Sequence, residues 1–171
     1  MLNLENFIRV VEDFPKPGIS FKDISPLLLN PDAVNYCVDV LIKPLQGQKI
    51  DKVIGVESRG FFLASLMAQK LHAGFVPVRK KGKLPFKTVH AEYALEYGTD
   101  VLEMHIDAIN PGDKVLIHDD VLATGGTIEA VCNLVKSQGA EIVLVNFIIE
   151  LEFLEGRKKI ADYKYTSALK Y

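Results

Sequence analysis

The 171-residue chain carries 20 Lys and Arg against 22 Asp and Glu, a formal net charge of -2, so it has no global field able to hold nucleic acid or an anionic membrane. With 49% apolar and 25% charged residues, and neither Pro nor Gly in excess, it excludes disordered and fibrous classes and predicts one soluble globular domain over residues 1–171.

The opening stretch MLNLENFIRVVEDF is interrupted by Asn3, Glu5, Asn6 and Arg9, so no signal peptide is expected. No run approaches the roughly 20 apolar residues of a membrane span, and cytoplasmic residence is the expectation. Leu4, Phe7, Ile8 and Val11 fall at the spacing of an amphipathic helix. From Asp13 to Pro31, five positions held by Pro15, Pro17, Gly18, Pro26 and Pro31 predict an ordered loop. Asn30-Pro31 then caps a helix whose apolar stripe, Val34, Val38, Leu41 and Leu45, runs to Gly47.

Short apolar strands follow in alternation with helices. Val53–Val56 leads into a helix from Gly60 to Leu71, and Phe75–Val78 is the next strand. Lys114–His118 enters a helix from Thr127 to Gln138, which Gly139 stops, and Ile142–Ile149 is one more strand. Such alternation predicts a mostly parallel sheet covered on both faces by helices. Residues 80–105 break it, and are expected to be a mobile excursion followed by a two-stranded ribbon with Leu102, Met104 and Ile106 on one face, a lid in function. Near the carboxyl end, Tyr163, Tyr165 and Ser167 alternate like an edge strand. Cys37 and Cys132, without CxxC spacing, are expected to be buried small apolar side chains in a reduced compartment. His72, His90, His105 and His118 lack metal-ligand spacing and are read as structural or exposed.

The most informative segment is VLIHDDVLATGGT, Val115–Thr127. Gly125 and Gly126 let the backbone come close to a ligand, and the free amides at the start of the next helix point at an anion, favoured by the helix dipole. Thr124 and Thr127 add hydroxyl donors. Asp119 and Asp120 are placed at the strand's carboxyl end, where α/β sheets bind ligands, and suit sugar hydroxyls or magnesium. No GK[ST] follows the glycines, so the loop is not a Walker A.

This segment resembles the 5-phosphoribosyl-1-pyrophosphate (PRPP) motif of the type I phosphoribosyltransferases. The resemblance implies that family's α/β fold, with an N-terminal base-binding hood over residues 1–33 and a mobile catalytic loop and ribbon over residues 80–105. It implies Ala123, Thr124, Gly125, Gly126 and Thr127 on the 5-phosphate, and Asp119 and Asp120 on the ribose hydroxyls. Four further segments are similar to the adenine-specific branch: DFPKPGISFKDISPLL from Asp13, GVESRGF from Gly55, VRKKGKLP from Val78 and LEYG from Leu95. The first implies a loop over the base, with Phe14, Ser20 and Lys22 nearest it. Lys22 stands where many relatives carry Arg, which weakens a side-chain contact but not backbone readout. The second implies a pyrophosphate loop of Glu57, Ser58 and Arg59, often with a non-proline cis peptide before the serine. The third adds Arg79, Lys80 and Lys83 as pyrophosphate ligands, some acting across a homodimer interface. The fourth puts Glu96 and Tyr97 on the loop that folds over the reacting centre, with Glu96 the acid/base; the other catalytic residue implied is Arg59, the cation of the pyrophosphate loop.

The implied activity is a magnesium-dependent glycosyl transfer in purine salvage: adenine and PRPP give AMP and pyrophosphate, with Mg²⁺ held by substrate and water rather than directly by the protein. Two rivals remain at this level: the same chemistry on hypoxanthine, guanine or orotate, against which the DFPKPG loop argues, and a PRPP or purine sensor without turnover. Such regulators carry a DNA-binding domain, and no helix-turn-helix pattern stands in this chain.

Overall fold

The computed structural model describes residues 2–94 and 99–171. The chain divides into two compact units, residues 1–40 and residues 41–171.

In the first unit a 3-10 turn at Leu4–Phe7 is followed by β1, Arg9–Val11, which pairs antiparallel with β2, Phe21–Asp23. This corrects the helix expected from Leu4 to Val11. Four apolar positions over two turns are a weak helical stripe, and Val10 and Val11 gain more by pairing with the returning chain, a tertiary contact that overrides local propensity. The proline-rich stretch is likewise more structured than a loop. Its breakers crowd into residues 15–18, which leaves room for β2 and for the short helix α1, Ser25–Leu28, where Pro26 sits in the first turn and needs no intrahelical partner. Helix α2, Pro31–Ile42, begins as expected, with the Asn30 side chain accepting from the Ala33 N–H at 2.9 Å.

In the second unit the expected alternation is found: β3 Lys52–Val56, α3 Gly60–Lys70, β4 Gly74–Lys80, β5 Thr88–Ala94, β6 Thr99–His105, β7 Lys114–Leu122, α4 Gly126–Ser137, β8 Glu141–Glu150 and β9 Tyr165–Lys170. Among the described residues these strands form one seven-stranded sheet in the order β5-β6-β4-β3-β7-β8-β9. Neighbours from β4 to β9 run parallel, and the β5–β6 hairpin joins antiparallel through the pairs Arg79↔Glu103 and Lys80↔Leu102. The ribbon is thus an extension of the main sheet. Leu102 and Met104 are buried on it, whereas Ile106 lies past the strand's end and is half exposed, contrary to its expected place on that face.

Two helices cover opposite faces. On β3, Ile54 and Val56 belong to a buried cluster with Val131, Leu134 and Val135 of α4. A Cβ on the intervening Gly55 would meet Ala64 and Phe61 of α3 at 3.0 and 3.1 Å, and period-two alternation puts it on the other face. Cys37 and Cys132 are free and buried, and burial pushes each thiol up to about 12. The edge strand at the tail is β9, beginning at Tyr165, with Tyr163 just before it. No helix among the described residues is long and apolar enough to cross a membrane.

Candidate functional site

The site is built at the carboxyl end of β7. Strand pairing continues past the acids to Val121↔Ile149 and Leu122↔Glu150, so Asp119 and Asp120 lie within the strand rather than at its end. The extra length comes from Val121-Leu122, which pair with the long apolar β8 as any β-branched and aliphatic residues would. Consecutive strand residues point to opposite faces. Asp119 therefore lines a concavity with Val121, Ala123, Thr124, Gly125, Gly126 and Thr127, while Asp120 turns to the α3 side and pairs with Arg59, its Oδ2 2.8 Å from Nε.

The glycines of the loop have separate tasks. Gly125 has a φ of +82°, a left-handed conformation that side chains resist, and it releases the chain directly into α4 at Gly126. The first amides of that 12-residue helix have no intrahelical partner, and Gly125, Gly126 and Thr127 line the concavity. Gly60, at the start of α3, has a different reason to lack a side chain: a Cβ there would come within 2.9 Å of the His118 carbonyl oxygen and 3.0 Å of Asp119 Oδ1.

Burial pushes the Asp119 carboxyl well above the usual carboxylate range, and the neighbouring Asp120 charge adds to the effect. Burial also raises Asp120, against the opposing pull of the Arg59 guanidinium. Hydrogen-bond donors reaching these acids would favour their ionised forms.

On the other side of β3, the Glu57-Ser58 peptide is cis, as the resemblance implied. Burial pushes Glu57 up, but the Lys80 N–H at 2.9 Å and the Arg79 guanidinium at 3.2 and 3.3 Å outweigh it and hold the carboxyl below its ordinary value. Arg79 also donates through Nη1 to the Lys83 carbonyl at 3.1 Å, which shapes the basic turn at residues 81–87. Lys80 reaches Asp100 at 3.3 Å, and the Tyr93 O–H donates to the same carboxylate at 3.1 Å. Burial and Asp100 push the Tyr93 phenol up, while the Thr127 hydroxyl beside it opposes them. The hairpin is thereby tied both to the basic turn and to the phosphate loop.

Structure brings together Glu57, Arg79 and Lys80 in one set and Asp119, Ala123, Thr124, Gly125, Gly126 and Thr127 in another, with Arg59 and Asp120 paired. Ser58 is exposed, and its carbonyl accepts the Phe61 N–H at the start of α3. Phe14, Ser20 and Lys22 belong to the first unit. There Phe14 packs edge-on against Phe21 at 5.2 Å, Ser20 Oγ donates to Glu12 at 3.1 Å, and Lys22 Nζ donates to Ser20 Oγ at 3.1 Å. Glu96 and Tyr97 lie outside the described residues. Sequence reasoning missed the junction of Tyr93 and Asp100 with Lys80, and the close approach of Gly156 to Ala123 and Gly125. Tyr93 and Asp100 sit in an alternating strand pattern that looks like any exposed ribbon, and a lone glycine in the charged run LEGRKK reads as a surface turn.

An open, mostly parallel sheet, with a glycine cradle at the carboxyl end of a central strand and an acid pair beside it, defines a phosphosugar-binding α/β protein. The model of the phosphoribosyl transferase domain family matches residues 37–168. The adenine phosphoribosyltransferase of Flavobacterium johnsoniae is 62% identical over 99% of this chain and 100% of its own. Among solved structures, adenine phosphoribosyltransferase from Rhodothermus marinus superposes with a TM-score of 0.94 at 55% identity, covering 98% of this chain and 96% of that one. The Saccharomyces cerevisiae enzyme, complexed with an imino-altritol bisphosphate and adenine, gives 0.91 at 39% identity, covering 96% and 95%. By these matches the chain belongs to the phosphoribosyltransferases and, within them, to the adenine phosphoribosyltransferases, pentosyltransferases of purine salvage.

Proposed function

We propose that the site joins adenine to the anomeric carbon of PRPP, releasing pyrophosphate and giving AMP. The observation that carries this reading is the concavity in which Asp119 and the loop Ala123–Thr127 face each other, a sugar-hydroxyl acceptor beside an anion cradle. Amides of Gly125, Gly126 and Thr127, with the Thr124 and Thr127 hydroxyls, hold the 5-phosphate; Asp119 and Asp120 accept from the ribose hydroxyls. Arg59 is the catalytic cation at the pyrophosphate loop, and Glu57, Ser58, Arg79, Lys80 and Lys83 complete the pyrophosphate site. Glu57 draws the Lys80 amide and the Arg79 fork together, so the turn that carries Lys83 is set before substrate arrives.

The donor set fits magnesium carried on the substrate rather than in a protein cage. Among the described residues no group of three or more His, Cys, Asp or Glu stands together to hold a metal ion, and the two acids of the site are engaged by Arg59 and a backbone N–H. Carried in with PRPP, Mg²⁺ would supply neutralisation of the leaving pyrophosphate.

Glu96 takes the proton that adenine loses as it attacks, Tyr97 follows it in the sequence, and the loop and ribbon of residues 80–105 serve as the lid that keeps water from hydrolysing PRPP. Phe14, Ser20 and Lys22, in the hood segment 1–33, serve the base. Adenine shows a donor at N6 beside an acceptor at N1, and hypoxanthine reverses them, so a fixed backbone edge discriminates. The working enzyme is a cytoplasmic homodimer, and sedimentation as a single-chain species at assay concentration would remove that part of the reading.

The decisive experiment mixes the purified protein with PRPP, Mg²⁺ and, separately, adenine, hypoxanthine, guanine and orotate, and scores nucleotide and pyrophosphate. Conversion of adenine alone is expected. Conversion of another base instead would overturn the specificity, and PRPP binding without turnover would make the chain a sensor.

A further inference from the structure

We infer that Gly156, in the tail between β8 and β9, is a positioning residue for the phosphate cradle, bracing the Ala123–Thr127 loop from behind because it lacks a side chain. The inference rests on the reading of that loop as the 5-phosphate site.

Gly156 is buried, and a Cβ built on it would fall 2.2 Å from the Ala123 carbonyl oxygen and 3.0 Å from the Gly125 nitrogen. Both are backbone atoms of the cradle, so neither can swing aside as a side-chain tip would. The requirement is mutual: a Cβ on Gly125 would lie 2.5 Å from the Gly156 carbonyl oxygen. Two chain segments meet here main chain to main chain, each needing the other to be glycine.

The tail is anchored on both sides of this contact. Before it, the Leu151 N–H donates to the Leu122 carbonyl at 2.9 Å, at the last strand residue ahead of Ala123. After it, Lys159 pairs with Glu129 of α4 at 2.7 Å, and Ile160 is wholly buried in the cluster that includes Ile128 and Val131. The Gly156 backbone is thus held in place on independent supports, and it limits where Ala123 and Gly125 can move. Because an N–H weakens steeply as a donor when it leaves its line to the acceptor, the direction of the cradle amides sets phosphate affinity. A methyl group at residue 156 pushes the loop outward until the 2.2 Å approach opens to ordinary contact.

The test compares wild type with Gly156→Ala in titrations of ribose 5-phosphate and of pyrophosphate, together with PRPP kinetics. Ribose 5-phosphate binding is expected to weaken about tenfold or more, as for a misplacement of about 1 Å, with pyrophosphate binding unchanged. The 5-phosphate contact is made equally in ground and transition states, so KM for PRPP rises while kcat holds. If Gly156→Ala does not fold, Ile160→Ala loosens the same anchor without touching the cradle, and the same selective loss is expected in smaller measure. Unchanged ribose 5-phosphate binding, or a parallel loss of both ligands, overturns the inference and leaves the site reading intact. Failure of the wild-type protein to bind ribose 5-phosphate overturns the site reading, and the inference with it.

Discussion

Asp119 illustrates how a proposed binding residue is held at a cost to stability. Its carboxyl is pushed up by burial and by the Asp120 charge, which means that ionisation is harder in the folded protein than in the unfolded chain. For a carboxylate shifted in this direction the folded state binds the proton more tightly, so the group weakens folding as pH rises above its ordinary value of 3.8. Asp119→Asn removes that penalty while keeping the shape. At pH 7.5 the variant is expected to melt about 2–4 °C higher, a gain on the order of 1 kcal/mol, and to lose the gain near pH 3.5. Its kcat/KM for PRPP should fall at least about tenfold, since a neutral amide is a poorer acceptor for two ribose hydroxyls than a carboxylate. Thermal unfolding at the two pH values with steady-state kinetics checks both, and an unchanged or lower melting temperature at pH 7.5 would remove the argument. The acid pair, the two adjacent glycines and both threonines were legible because strand, cradle and helix start follow one another in a single stretch of chain. Gly156 was not, because what makes it matter is a backbone atom of Ala123.

At the scale of elements, α3 and β7 meet where Gly60 faces the His118 carbonyl and Asp119. Helix propensity alone favours Gly60→Ala by up to about 1 kcal/mol. The added Cβ would sit 2.9 Å from a strand carbonyl, however, and overpacking of that kind costs about 1–3 kcal/mol, so the contact decides the sign. Gly60→Ala is expected to lower the urea midpoint and to reduce PRPP affinity by shifting Asp119; a raised midpoint would show that the helix gives way freely. Strand and helix order in the second unit was readable because periodicity is local. The misread element was decided by pairing: residues 9–11 form a strand because residues 21–23 return beside them. The two-stranded ribbon was legible, but its joining of the main sheet was not, because that depends on β6 finding the outer edge of β4.

For the whole molecule, a buried polar junction ties distant parts of the second unit together. His118 Nδ1 lies 2.7 Å from Asn146 Oδ1, and Asn146 donates to the Leu41 carbonyl at 3.1 Å and approaches Met67 Sδ at 3.7 Å, so β7, β8, α3 and the end of α2 share one network. Burial pushes the His118 pKa down to about 4, against the raising effect of Asn146. A histidine shifted down is neutral in the fold, so its contribution is full above its ordinary value of 6.5 and is lost as pH falls toward 4. A shift of this size corresponds to about 3 kcal/mol. Stability of the wild type is expected to fall by about that amount across the window, and His118→Asn, whose Nδ2 can replace the Nδ1 donor, should flatten the curve. Denaturant titrations from pH 7 to 4 measure it, and parallel curves for the two proteins would exclude His118 as the source.

The sequence by itself determined the strand and helix alternation of the second unit and the succession of acid pair, glycine loop and helix start, because hydrophobic period, turn chemistry and helix starts are properties of neighbouring residues. Only the tertiary structure decided the strand order, the pairing of Glu57 with Arg79 across 22 positions, the bond from Asn146 to Leu41 across 105, and the packing of Gly156 behind the cradle. These depend on which chain-distant backbones approach one another, and that is set by how the sheet closes its core rather than by any local pattern.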